Sequence, residues 1–163
     1  MHPAAYEFVR SVVADHDMQG LRILDLGSRD VNGSVRDLFA SAALYHGIDI
    51  AAGPGVDEVV ACADYVPLVI FDTCVSTEVL EHMQDPSELT SCAWRCLGSG
   101  GMLILTAAGP NRQPHSVSGG EVGQEYYENI SPELLALLLE DWRSVRIVYN
   151  AIACDIYATA IKP

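Results

Sequence analysis

Residues 22–33, RILDLGSRDVNG, restrict the fold more than any other stretch of the chain. The apolar run Ile23-Leu24-Asp25-Leu26 stops at Gly27, and a polar turn leads into the amphipathic segment Ser34-Val35-Arg36-Asp37-Leu38-Phe39. That order predicts a buried strand over 22–27, a tight turn, and a helix over 34–42. Such a junction places a ligand at the C-terminal end of the strand, beside the start of the following helix. A side chain at Gly27 would hold the ligand away from the backbone, and the acid at Asp25 suits a ligand with a cationic amine. Tyr45-His46-Gly47-Ile48-Asp49 reads as the end of a second strand. It closes on an acid about 20 residues further on, from where a carboxylate can accept both hydroxyls of a ribose. The glycine pattern is incomplete, because Arg29 stands where the second glycine of G-x-G-x-x-G would fall.

The order of the downstream segments extends this pattern. Ala5, Phe8, Val9, Val12 and Val13 share one face of a helix over residues 4–15. Strands are expected over 44–50, 56–63, 71–76 and 101–107. Asp85-Pro86-Ser87-Glu88 is a helix start, with Asp85 as cap, Pro86 at the first helical position and Glu88 closing a capping box. That helix runs to Leu97. Residues 109–125 have no periodicity and read as a mobile loop. Ser131-Pro132-Glu133 starts the last helix, and 144–149 with 155–161 suggest an antiparallel pair at a sheet edge. The alternation of strand and helix implies an α/β, Rossmann-like fold: a mostly parallel sheet of about seven strands, with helices on both faces.

A chain of 163 residues, 50% hydrophobic, has material for one domain spanning 1–163. Its apolar runs, such as 101–108 and 134–139, are too short to cross a bilayer. No signal peptide opens the sequence, so a cytoplasmic protein without a membrane partner is expected. The net charge of −13 and the single lysine, Lys162, argue against a nucleic-acid partner, which needs clustered cations for its phosphates. Cys62, Cys74, Cys92, Cys96 and Cys154 form no C-x-x-C pair and lie mostly in apolar surroundings. They read as free thiols in a reducing compartment rather than as a zinc site.

Five segments in this order, ILDLGSRDVNG, YHGIDI, VVACAD, FDTCVSTEVLEHMQDPSEL and LGSGGMLILT, resemble the class I S-adenosylmethionine-dependent methyltransferases, in the group with E-V-L-E-H after the fourth strand. The resemblance covers roughly residues 20–108 and implies S-adenosyl-L-methionine as cofactor. It implies that Gly27 and Ser28 lie against the methionine part, with Asp25 near its amino group. Asp49 would hold the ribose and Ile50 would pack on the adenine. Ser76 and Thr77 would close over the sulfonium. Family members usually carry an Asp where Cys62 stands, followed by a backbone N–H, here that of Ala63, that meets the ring. A thiol is a poor acceptor, so Asp64 is expected to take over the adenine contact. Arg29 is the second departure and is read as a variant loop.

For the chemistry the sequence offers Glu81, His82 and His115. Glu78, Glu81 and His82 stand at helical spacing, which would place them on one face, while His115 follows the fifth strand and returns over the same rim. Two carboxylates and two imidazoles, Glu78, Glu81, His82 and His115, can also hold a divalent ion. That arrangement is similar to the metal-dependent small-RNA 2′-O-methyltransferases and to the ubiquinone-pathway O-methyltransferases. E-V-L-E-H is equally common where no metal is involved, and the metal-free reading is preferred. Tyr126 and Tyr127 either line an acceptor pocket or pack the base of the loop. The resemblance implies methyl transfer to an oxygen or nitrogen of a small molecule. The alternative is a non-catalytic cofactor-binding subunit that acts with a partner protein. The uncovered helix positions leave room for a homodimer.

Overall fold

The structure is a computed structural model that describes residues 2–163. Its elements are α1 (Pro3–Ala14), β1 (Arg22–Leu26), a 3₁₀ turn (Arg36–Phe39), β2 (Leu44–Asp49), β3 (Glu58–Val59), β4 (Phe71–Thr77), a second 3₁₀ turn (Leu80–His82), α2 (Ser87–Cys96), β5 (Leu97–Ala108), α3 (Pro132–Leu138), β6 (Arg143–Asn150) and β7 (Asp155–Ile161). The strands form one sheet in the order β3-β2-β1-β4-β5-β7-β6. The first five are parallel; β7 runs antiparallel to both β5 and β6. Among the described residues no helix is long and apolar enough to cross a membrane.

Side chains alternate across the pleat. Ile23, Val75 and Ile104 meet Val9 and Val12 of α1 and Val35 and Phe39 of the first 3₁₀ turn on one face. Leu24, Cys74, Leu103 and Leu105 meet Leu89, Cys92, Ala93 and Cys96 of α2 and Leu135 of α3 on the other. The strictly apolar strands are thus covered on both sides, as parallel sheets require. Asp25 shares the face of Ile23, which turns a carboxylate into otherwise apolar packing.

Several local expectations are corrected. The helix expected over 34–42 is a single 3₁₀ turn whose cap, Val35, supplies no side-chain hydrogen bond. Arg36 pins that turn sideways by donating to the carbonyls of Gly55 and Tyr45 and to Asp57. The strand expected over 56–63 shrinks to two exposed residues at the sheet edge, Glu58 and Val59. The following residues leave the ladder and turn toward the strand ends. The α2 start is shifted by one residue: Pro86 is the cap position, while the Asp85 carboxylate accepts from the Ser87 amide at 3.0 Å. Ser131 caps α3 as expected, accepting from the Leu134 amide at 3.1 Å.

Asp155, at the start of β7, is fully buried and fastens three separate segments. Oδ1 accepts from Arg112 at 2.6 Å. Oδ2 lies 2.8 Å from His2 Nδ1 and accepts from the Tyr157 hydroxyl at 3.1 Å. Removing this acid strands a partly buried guanidinium. Asp155→Ala should therefore lose roughly 3–5 kcal/mol of unfolding free energy in urea titration; a loss under about 1 kcal/mol would show that Arg112 and His2 are adequately served by water.

Candidate functional site

A cavity of about 400 Å³ opens where β1, β2 and β4 end. Its wall takes Gly27, Ser28 and Arg29 from the turn after β1, and Asp49 and Ile50 from the end of β2. Val60, Ala61 and Cys62 come from the segment after β3. Thr77, Glu78, Val79 and His82 come from the exit of β4, and His115, Ser116 and Val117 from the loop after β5. This is the position at which open α/β sheets bind ligands. Two more open depressions, of about 540 and 650 Å³, flank α1 and contain none of the candidate catalytic, cofactor-binding or metal-ligating residues.

The turn after β1 is held to the neighbouring strand, because the amides of Gly27 and Ser28 both donate to the Ile48 carbonyl, at 2.9 and 3.0 Å. Gly27 has φ +82°, and a Cβ there would collide with Val79 Cγ2. The glycine is thus required by a protein neighbour as well as by any ligand. Asp25 lies on the cavity floor. Its Oδ2 accepts from the Tyr45 hydroxyl at 2.6 Å, while Oδ1 is buried with no partner. Asp49 accepts from the Arg29 amide at 3.2 Å and the Ala51 amide at 2.9 Å, and Ile50 stands 79% exposed on the rim.

Not every expected residue reaches the wall. Cys62 does. Ala63 and Asp64 are exposed and do not line the cavity, so the carboxylate expected to replace Cys62 at the adenine is not on the wall. The Arg95 guanidinium fixes this course by donating to the carbonyls of Cys62 and Ala63. Thr77 lines the cavity, but the buried Ser76 hydroxyl is turned into the sheet and donates to Leu26 at 2.7 Å.

On the opposite side the single helical face expected for Glu78, Glu81 and His82 does not form. Glu78 has φ +57°, outside the 3₁₀ turn, and its carboxylate accepts from the Thr106 hydroxyl at 3.3 Å. Glu81, His82 and His115 nevertheless converge, with donor atoms within 4.8 Å of one another. Glu81 is completely buried beneath the wall; Oε1 accepts from the Ala108 amide at 3.1 Å and Oε2 has no partner. His82 and His115 line the cavity, and Tyr127 stands edge-on to both, with ring centroids 5.4 and 5.2 Å away. Tyr127 therefore packs against the two imidazoles, whereas Tyr126 turns outward to Glu128. The sequence reading missed Val79, Met83, Glu88, Ser116 and Val117, all of which line the cavity. Glu88 was hidden by its reading as a cap residue, and the loop residues lie in a segment without periodicity.

A family model described as a methyltransferase domain matches residues 24–105. No curated protein matches the chain by sequence. Among solved structures, the chain is similar to the 1,6-didemethyltoxoflavin-N1-methyltransferase of Burkholderia thailandensis, with bound 1,6-didemethyltoxoflavin and S-adenosylhomocysteine. The TM-score is 0.73 and the identity 14%, over 98% of this chain and 78% of that one. It is similar to the magnesium protoporphyrin IX methyltransferase of Synechocystis PCC 6803 with bound S-adenosylmethionine, at TM-score 0.67 and 18% identity over 98% and 79% of the two chains. It is also similar to the cyclase SpnF, at TM-score 0.67 and 18% identity over 96% and 80%.

Burial sets the protonation states of the site. It pushes the Asp25 carboxyl up to about 7, against the Tyr45 hydrogen bond that opposes the shift. Burial, reinforced by Glu78 nearby, pushes Glu81 up to about 8. Burial also lowers His82 to about 4 and lowers His115, so both rings are neutral at pH 7. Titration of His82 is thereby moved well below the ordinary imidazole range. A carboxyl with a raised folded-state pKa stabilises the fold below its unfolded value, and that contribution is lost as pH rises through the folded value. The lowered imidazoles oppose this up to about pH 6.5, so the melting temperature of the ligand-free protein should fall between about pH 6.5 and 8. Glu81→Gln, which fixes the neutral form, should fall less over that range; parallel curves for the two proteins would show that Glu81 is ionised throughout.

Proposed function

Because the chain belongs to the methyltransferase-domain family, we propose that it transfers the methyl group of S-adenosylmethionine to an oxygen or nitrogen of a small molecule. The observation that carries this reading is one cavity lined at one end by Gly27, Asp49 and Cys62 and at the other by His82 and His115. Asp49 accepts from the ribose hydroxyls. Gly27 and Ser28 border the methionine part, whose ammonium meets the unpartnered Oδ1 of Asp25. Ile50 and the Cys62 segment flank the adenine, and Thr77 lies toward the sulfonium. Ala63, Asp64 and Ser76 are off the wall and are left out of this set.

Methyl transfer from a sulfonium is a single in-line displacement, so alignment supplies much of the rate. The acceptor lies against His82, His115 and Tyr127. A neutral imidazole there accepts a proton from the acceptor during or after transfer, and Glu81 beneath it orients the His115 ring, whose Nε2 lies 3.9 Å from Oε1. A small acceptor is supported by the cavity size, within the roughly 300–1,000 Å³ of small-molecule sites. A neutral or cationic acceptor is supported by the acids Asp25, Asp49, Glu78 and Glu88 on the wall. The solved relatives with bound cofactor or product support the cofactor assignment by analogy of fold.

Asp49→Ala removes a charge-assisted pair worth roughly 1.5–3 kcal/mol per bond. Its affinity for S-adenosylhomocysteine in titration calorimetry should fall at least roughly tenfold while the fold is retained. Unchanged affinity would overturn the cofactor assignment. Binding without turnover across a broad set of small acceptors would favour the non-catalytic subunit instead.

A second reading places a divalent ion on Glu81, His82 and His115. It is favoured by their convergence within 4.8 Å and by the unpartnered Glu81 Oε2 and His82 Nδ1. The neutral rings fit the requirement that ligating imidazoles be deprotonated. The metal-free reading expects full activity after exhaustive chelation. Activity lost to chelator and restored by Mg²⁺, Mn²⁺ or Zn²⁺ would install the ion.

A further inference from the structure

The departure of this chain from the glycine pattern, Arg29, has a structural counterpart on the far side of the cavity. Its Cγ and Cδ lie across Gly53, where an added Cβ would stand 2.8 and 3.0 Å from them. The stem therefore needs the notch that glycine leaves. The guanidinium continues to the loop after β5, where Nη2 donates to the Val117 carbonyl at 3.4 Å. Nε is buried without a partner, while the Nη2 end of the half-buried side chain reaches the surface at Val117. Beside it the side chain of Asn32 approaches Gly119, whose Cα would carry a Cβ 3.3 Å from Asn32 Nδ2. The loop is shaped for this contact by a turn of its own: the Ser116 amide donates to the Gly120 carbonyl and the Gly119 amide to the Ser116 carbonyl, both at 3.0 Å. His115, Ser116 and Val117 then form part of the same wall as Gly27 and Asp49.

We propose that Arg29 is a positioning residue that fastens residues 115–119 across the cavity, so that retention of the cofactor and placement of His115 depend on one side chain. This rests on the cofactor reading given above. In a glycine-rich turn the second glycine leaves the loop after β5 nothing to hold. Here the arginine stem crosses from the cofactor turn, over the β2 exit, to the loop that carries His115. A lysine at the same place would span the distance with one donor group and no planar fork, so it should hold the loop only in part.

The test uses Arg29→Gly, Arg29→Lys and Gly53→Val, the last filling the notch without touching the charge. Hydrogen exchange should speed up in residues 115–121 by at least roughly fivefold in Arg29→Gly and Gly53→Val, with other segments and the melting temperature unchanged. Dissociation of S-adenosylhomocysteine should quicken by roughly three- to tenfold in both, with Arg29→Lys between them and the unaltered protein. Unaltered loop exchange in Arg29→Gly would overturn the proposal. So would tighter cofactor binding in that variant, which would make Arg29 an obstruction. Failure of the unaltered protein to bind S-adenosylhomocysteine would instead remove the cofactor reading, while the loop exchange would still report on the Arg29 contact.

Discussion

The contact between Gly27 and Val79 governs the whole site. β1 and β4 pair in parallel, with Asp25 opposite Val75, so their exits leave the sheet side by side. The exit of β1 bends back to Ile48 at a positive φ, and the exit of β4 lays Val79 against it with no room for a Cβ. Any side chain at Gly27 must push the segment that carries Glu78, Glu81 and His82. The two ends of the cavity are therefore joined through a single close approach. This explains why a left-handed glycine is needed even before a ligand is considered, and why Glu78 immediately before it tolerates φ +57°.

The burial of charge follows from the same geometry. Asp25 falls on the helix-covered face of β1 by strand alternation, and Glu81 falls beneath the wall because the 3₁₀ turn is short. Burial raises Asp25 to about 7 and Glu81 to about 8, so near pH 7 both carboxyls keep a substantial protonated fraction at the expense of their usual ionisation. A ligand that brings an ammonium to Asp25 Oδ1 restores the charged form and relieves that cost, so the empty floor discriminates in favour of a cation. The acids on the rim and the net charge of −13 act in the same direction at longer range. Anionic acceptors meet an unfavourable field across most of the wall, where Arg29 is the countering cation.

The sheet was legible in the sequence because period and composition both mark it. β1, β2, β4 and β5 are apolar runs ended by glycine or by an acid, and β6 and β7 are close β-rich runs. The Ser131 cap was legible for a similarly local reason. What escaped was decided by tertiary contact. Residues 34–42 carry a helical pattern, but Arg36 is drawn to Asp57 and to the Gly55 and Tyr45 carbonyls, and one turn is all that remains. Residues 56–63 have strand propensity, yet at an exposed edge only two of them pair, and Val60, Ala61 and Cys62 wall the cavity instead. In the site, Gly27 and Asp49 line the cavity, a position that the ends of β1 and β2 made legible. Asp64 was misplaced because Arg95 directs the Cys62–Ala63 backbone, a contact across more than thirty positions that no local pattern encodes.

The acceptor side shows where the scaffold stops determining the chemistry. A cyclase and several methyltransferases share this sheet with the chain at less than 20% identity, so the parallel strands place a cavity without choosing a reaction. The choice falls to groups carried on the two irregular segments, the exit of β4 and the loop after β5. In this chain those segments bring together two neutral imidazoles, a phenol and a buried carboxyl. Such a set accepts a proton or orients a small polar molecule, but it offers no fixed cation for an anionic substrate. Because one of the imidazoles belongs to the loop that Arg29 reaches, the composition of the acceptor side is tied to the same turn that borders the cofactor. On the proposal that Arg29 fastens this loop, acceptor preference and cofactor retention would be two consequences of one loop position, and variation at Arg29 or Gly53 would alter both together.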